Sequence, residues 1–238
     1  MNDTILTTIK KSLRNTNFRF FLSIIFIILL QSCSKETLEE SIQSDLDGGM
    51  TPLEVYNNHI NEHNTDGTIP GVIGFNYGGG IIIDFNPTDG TGLIASPHDL
   101  ENSPWGCFET SIPDLTLSTA GDGLENTLRI LASDCGESSA AKTCDNYSND
   151  GYDDWFLPSY GTLRLTDILA NAKGEYWSSS GVSKISIDQD SKNAWTEFVN
   201  MNESCEEGTW YFGFGTAYYC TFSTDRRALK KVRAVRRF

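Results

Sequence analysis

The chain has 238 residues, of which 39% are hydrophobic and 21% charged, and a formal net charge of −14. That length supports one domain with a sizeable core, and an acidic body repels nucleic acid and other polyanions, so no nucleic-acid partner is expected. The charge is unevenly spread: residues 33–225 carry 31 acidic and 7 basic side chains, whereas residues 226–238 hold Arg226, Arg227, Lys230, Lys231, Arg233, Arg236 and Arg237 and no acid.

The N-terminus reads as a targeting segment. Lys10, Lys11, Arg14 and Arg19 precede an apolar run from Phe20 to Leu30 that only Ser23 interrupts. Such a run falls short of the roughly 20 residues of a spanning helix and suits a cleaved signal peptide over residues 1–32. It ends in Leu30-Gln31-Ser32-Cys33, which resembles the bacterial lipobox, with Cys33 as the lipidation site. Two or three acyl chains hold a protein at a membrane where one chain does so only marginally. The expected membrane partner is therefore met through a lipid anchor. The charged run Ser34 to Glu40 resembles the signal that sends some Gram-negative lipoproteins to the outer face of the outer membrane, and reads equally well as a solvated tether; an outer-membrane location is expected, on the cell-surface face in preference to the periplasmic one.

Residues 33–77 read as a polar tether with one short helix, since Thr51 can cap and Pro52 suits a first helical position. The helix is expected to reach His63. It contains His59-Ile60-Asn61-Glu62-His63, which matches the H-x-x-E-H pattern of inverted zinc proteases. Zinc hydrolysis would need both imidazoles on one face, a third ligand and a surrounding scaffold. Asn64-Thr-Asp-Gly67 ends the helix at once, so a solvated helix is the better reading.

The compact domain is expected over residues 78–238. Gly78 to Phe85 is a run of glycines followed by β-branched and aromatic residues and reads as a buried strand, Asn86 to Gly92 as a turn, and Leu93 to Ser96 as a returning strand, together a hairpin. Gly78-Gly79-Gly80 lacks both the dinucleotide fingerprint and the Walker lysine, which excludes the common phosphate loops. Asp122-x-x-Glu125 has capping-box spacing, with Leu124 and Leu128 expected inward on a helix to about Ser133. A helical piece over Ala140, Ala141 and Cys144 follows, then a helix capped by Ser159 with Leu165, Ile168, Leu169 and Ala172 inward and Gly174 as its stop. Strands are expected at 176–179, 194–199, 210–214, 217–222 and 232–235. This order of strands with two inserted helices is α+β, with a mixed, mainly antiparallel sheet.

Five cysteines remain besides Cys33, and an oxidising compartment favours disulfides. Proximity in sequence suggests Cys135 with Cys144 and Cys205 with Cys220, leaving Cys107 free.

The most chemically dense stretch runs from Asp145 to Ser159. Asn146, Ser148, Asp150 and Asp154 fall at positions 1, 3, 5 and 9 of a calcium loop with Gly151 at 6, but Leu157 replaces the bidentate glutamate at 12. An EF-hand is thereby excluded, and calcium is the one cofactor the spacing suggests. In the alternative, the acids and amides cap a turn while Trp155 and Trp177 fill the core. A ligand site here would draw on Asn149, Asp150, Asp153, Asp154, Trp155 and Trp177.

These landmarks occur in an order that resembles a known family. Gly79-Gly80-Ile81-Ile82, Gly92-Leu93-Ile94-Ala95, Glu125-Asn126-Thr127, Ala140-Ala141 with Cys144, Gly151 to Ser159, Tyr176-Trp-Ser-Ser179, Ala194-Trp195, and Val232 to Arg236 with Phe238 are similar to the C-terminal domain of the Legionella collagen-like adhesin and its relatives. The resemblance implies a C-type-lectin-like fold over residues 78–238, a non-enzymatic extracellular role and, in the adhesin, binding of sulfated glycans. Thr162 stands where the family has a glutamate, and the acidic body argues against polyanions. The expected function is a surface lipoprotein whose domain binds a glycan or a surface protein. The alternatives are a structural envelope lipoprotein or, at a further remove, an enzyme built on Cys107, like the cysteine-dependent oxidases that share this fold.

Overall fold

The computed structural model describes residues 37–60, 71–112, 115, 123–181, 191–199, 210–211 and 220–238. Its contacts divide the chain into residues 1–41 and 42–238. Of the first unit, residues 37–41 are described, and there Thr37 and Glu40 form a reciprocal cap: the Glu40 amide donates to Thr37 Oγ1 and the Thr37 amide to the Glu40 carboxylate.

The compact unit takes in residues that the sequence assigns to the tether. Helix α1 (Leu38–Asp47) buries Ile42 and Leu46, and Val55 and Val72 join the same core cluster. Helix α2 (Pro52–Val55) starts as expected, with Thr51 and Glu54 forming a full capping box. It is shorter than the expected helix to His63, because a π turn over Tyr56–Ile60 replaces the α-helical pattern.

The architecture is α+β, with two mainly antiparallel sheets and few helices. The first sheet has the order β1-β2-β3-β10, from β1 (Asn76–Tyr77), β2 (Gly80–Phe85), β3 (Gly92–Ala95) and β10 (Val235–Arg237). Its central hairpin is the expected one. The Asn86 amide donates to Thr91 O at 2.8 Å, and Asn86 Oδ1 and Asp89 Oδ1 accept from turn amides two residues on. Ile82 pairs with Ile94 in register, and both are fully buried.

The second sheet has the order β4-β9-β5-β6-β8-β7, with β4 (Leu100–Ser103), β9 (Lys230–Val232), β5 (Gly174–Gly181), β6 (Asn193–Val199), β8 (Cys220–Asp225) and β7 (Trp210–Tyr211). Only β5 and β9 run parallel, at Tyr176 and Lys231, among the described pairings. The strand expected over 232–235 is two strands: β9 belongs to the second sheet and β10 to the first. The chain crosses between them at Arg233 and Ala234, where Ser96 N donates to Ala234 O at 2.8 Å.

Among the described residues three short α-helices lie between β4 and β5, and two of them bury other faces than the leucine spacing suggests. Helix α3 (Leu124–Leu131) buries Asn126, Thr127 and Ile130, while Leu128 is 52% exposed. Its N-cap is Gly123 at φ 111°, with no side-chain cap, and Asp122 lies outside the described residues. A Cβ on Gly123 would stand 2.4 Å from Leu157 O, so the helix start packs directly on the 157–159 backbone. There Thr127 Oγ1 donates to Leu157 O and accepts from Leu157 N. A hydroxyl on the buried face therefore takes the place of a leucine. Helix α4 (Ala140–Asp145) is the expected helical piece, and it buries Ala140, Ala141 and Cys144.

Helix α5 (Tyr160–Leu165) has the expected Ser159 cap, which accepts from Thr162 N at 3.2 Å, and Thr162 Oγ1 bonds the same hydroxyl. It gives way to a 3-10 turn over Thr166–Ile168, so the α-helical phase is lost: Leu163 and Thr166 are buried, while Leu165 and Ile168 are exposed at 38% and 50%. Leu169 and Ala172 are buried as expected.

The disulfide expectation is corrected. Cys107 bonds Cys135, and Cys144 is a free, buried thiol whose pKa burial pushes up. Cys144 lies on the core side of α4, and the 104–107 segment runs beside that helix, where Ala140 N donates to Pro104 O at 2.9 Å. Cys205 and the Cys220 side chain lie outside the described residues.

Candidate functional site

The stretch after α4 folds into a two-residue hairpin. Asn149 and Tyr152 exchange both backbone hydrogen bonds at 3.0 Å, and Asp150 (φ 51°) and Gly151 (φ 82°) occupy its tip. Two successive positive φ angles define a type I′ turn, for which Asp-Gly is a favoured pair. This dipeptide was the available signal for the loop geometry, and the calcium-loop spacing overlies it.

The base of the hairpin is clamped from three sides. Arg236 donates to Asp154 through Nε at 2.6 Å and Nη2 at 3.2 Å, and to Gly78 O through Nη1 at 3.2 Å. The same guanidinium lies 3.9 Å from the centroid of the Tyr152 ring, a cation-π stack. Asn149 Nδ2 donates to Gly79 O at 2.7 Å. The approach is close enough to need glycine: Gly79 has φ 81°, and a Cβ there would sit 2.8 Å from Asn149 O.

The structure separates the sequence-predicted site residues into three groups. Trp155 and Trp177 are in the core, 3% and 0% exposed, with their indole N–H groups donating to Tyr152 O and Ser103 O. Both therefore take the core-filling place of the alternative reading and not an exposed place in the hairpin. Asp154 serves Arg236 with both oxygens. Asn149, Asp150 and Asp153 stay with the exposed part of the hairpin, Asn149 half-buried and the two acids exposed.

The proposed calcium donors are likewise divided. Asn146 is the C-cap of α4 and lines a depression of about 590 Å³ beside β4, together with Asn102, Lys142 and Tyr147. Asp150 lines a different depression, Ser148 is exposed, and Asp154 is held by Arg236. Among the described residues no three His, Cys, Asp or Glu side chains converge as a metal site.

The depression beside the hairpin, also about 590 Å³, is the second finding that the spacing did not reveal. It lies between the end of α1, β1 and the hairpin, lined by Asp47, Asn76, Tyr77, Asn149, Asp150 and Tyr152. The edge of β1 is held by a side chain: Gln43 Oε1 accepts from Asn76 N at 2.9 Å and Gln43 Nε2 donates to Asn76 O at 3.1 Å, as a neighbouring strand would. Burial, followed by the proximity of Tyr152, raises the pKa of the Tyr77 hydroxyl, which stays neutral and can donate.

Three of the seven basic residues of the C-terminal run serve the interior. Arg226, Arg233 and Arg236 are at most 7% exposed. Arg226 donates to Cys107 O and Thr110 O at 3.0 Å and stacks 4.1 Å from the Trp105 ring, while Arg233 pairs with Asp99 at 2.5 Å. Cys107, the nucleophile of the enzyme alternative, is bonded to Cys135. His59 of the zinc-protease pattern pairs with Asp45 at 2.5 Å, and Glu62 and His63 lie outside the described residues.

Among the described residues no helix is long and apolar enough to cross a membrane. Cys33 and the segment before it lie outside them. Comparison with protein-family models gives no match, and comparison with curated proteins gives none either.

Proposed function

We propose that the chain is a lipid-anchored protein of the outer membrane, displayed at the cell surface, whose C-type-lectin-like domain binds a glycan or a surface protein without catalysing a reaction. The observation that carries this reading is the clamped hairpin with its adjoining depression. Arg236, Asp154 and Asn149 hold the backbone, and Tyr152, 38% exposed, and Asp150 remain at the surface beside a concave polar space. Recognition sites have this character, with a few polar groups fixed around an aromatic surface. The lipobox at Cys33 supports the anchor, and the ordered motifs from Gly79 to Phe238 support the fold.

Their structural uses are consistent with that family assignment. Gly79 meets Asn149, Thr127 bridges to Leu157, Ser159 caps α5, and Arg236 pairs with Asp154. Each is a framework contact that a shared fold would keep while its surface varied. A glycan array probed with the purified chain, in calcium and again in chelator, tests the reading. Reproducible binding to one class of glycan is the expected result. A blank array, together with no partner captured from cell surfaces, overturns it.

A further inference from the structure

Building on the binding reading above, we infer that the depression beside the 149–152 hairpin takes an uncharged pyranose unit of a glycan, with Tyr152 as its stacking surface. A volume of about 590 Å³ is within the range of small-molecule sites and suits one or two sugar rings. A pyranose presents an apolar C–H face and a rim of hydroxyls, and the depression offers a partner for each.

The C–H face calls for an aromatic ring held rigidly. Tyr152 is held by Arg236 against one face at 3.9 Å and by its paired backbone bonds to Asn149 at 3.0 Å, yet 38% of it remains exposed. Its orientation is therefore settled before any ligand arrives, which lowers the entropy cost of binding. The hydroxyl rim calls for acceptors and donors at the edge. Asp47 and Asp150 supply carboxylate acceptors, and the amides of Asn76 and Asn149 and the Tyr77 hydroxyl supply both kinds of group.

The same lining decides the charge of the ligand. Among the described residues, two carboxylates and no Lys, Arg or His side chain line the space. Among the described residues, Arg236 stacks on the Tyr152 ring, with Asp154 taking two of its N–H groups. A sulfate or uronate would be brought against Asp47 and Asp150 without compensation, an arrangement that costs affinity. The depression therefore selects against the sulfated glycans that the adhesin resemblance implies. Every group named recognises hydroxyls directly, so chelation leaves binding intact.

Surface plasmon resonance on the full chain in detergent tests this, with neutral oligosaccharides of glucose, galactose, mannose and N-acetylglucosamine injected beside a sulfated heparan-type oligosaccharide. The expected result is binding of at least one neutral series, unchanged by chelator, with the sulfated probe weaker. Tyr152→Ala should weaken it by about tenfold, as loss of a stacking surface does. Asp150→Asn, which tolerates the left-handed tip and so serves as a second variant if Tyr152→Ala unfolds, should weaken it by about threefold to tenfold. Preference for the sulfated probe, or neutral binding indifferent to both variants, overturns this assignment while leaving a glycan-binding module in place. Silence from every probe overturns it too, and capture of a surface protein would then keep the broader reading alive.

Discussion

Arg236 and Asp150 belong to the same small structure and behave in opposite ways. Arg236 is buried under the hairpin, bound to Asp154, Gly78 and the Tyr152 ring, whereas Asp150 stands exposed at the turn. In the sequence the basic tail is a charge cluster with no partner assigned to it, and the acidic loop is the candidate ligand site, with a capped turn as the alternative. The structure sets them apart: Arg226, Arg233 and Arg236 are tied into the interior, while the tip of the loop stays at the surface. A charge cluster thus says little about function until its counter-ions are placed.

The comparison is broken most severely from the framework side. Arg233→Ala removes a fully buried guanidinium from Asp99 and from Ser96 O, and should lower stability by roughly 3–5 kcal/mol, the cost of breaking a buried ion pair. Urea denaturation of variant and parent measures it; a loss under 1 kcal/mol would place Arg233 outside the framework. Replacing Cys107 and Cys135 by serine opens a loop with a sequence separation of 28 residues and should cost about 3–4 kcal/mol in the chain-entropy model. The same shift should follow reduction of the parent, and an unchanged midpoint under reductant would contradict the bridge.

Smaller effects sharpen the contrast. Ser159→Ala removes the side-chain cap of α5 and should cost about 1 kcal/mol by chemical denaturation, with no effect on any ligand. The Arg227 guanidinium and the Arg227 amide hold Asp225 at a pKa of about 2, below the ordinary 3.8. A depressed carboxylate stabilises the fold above its ordinary pKa, and that contribution disappears as pH falls from near 3.8 through about 2. It is small because both partners are largely exposed. Carboxyl NMR should find the Asp225 midpoint near 2, and Arg227→Ala should return it to the ordinary range. At the rim, Asp150→Asn should move stability by less than about 0.5 kcal/mol, as exposed substitutions do.

Much of the framework was legible where the signal was local. Asn86 to Gly92 announced the β2–β3 turn, Thr51-Pro52 the start of α2, and Ser159 the start of α5, because a cap or turn is decided within a few residues. The buried faces of α3 and α5 were misjudged because both helices are short. Thr127 and Thr166 satisfy backbone carbonyls inside, which leaves Leu128 and Ile168 to solvent. The Cys107–Cys135 bridge could not be read from proximity, since folding of the 105–107 segment against Arg226 and α4 decides which thiols meet.

The site was half legible. Asn149, Asp150 and Asp153 were singled out, and the Asp150-Gly151 pair would have named the turn. Arg236 is 82 residues from Asp154, and Asp47, Asn76 and Tyr77 come from a segment whose polar composition suggested a tether. Such long-range assembly leaves no periodic trace.

The most direct test of this account is a glycan array screened in parallel with the parent chain and with Asp150→Asn, their melting temperatures measured on the same preparations. The account predicts neutral-glycan hits for the parent, weaker hits for the variant, and equal melting temperatures. Equal hits for both proteins, or hits confined to sulfated glycans, would contradict the claim that the clamped hairpin is the binding surface.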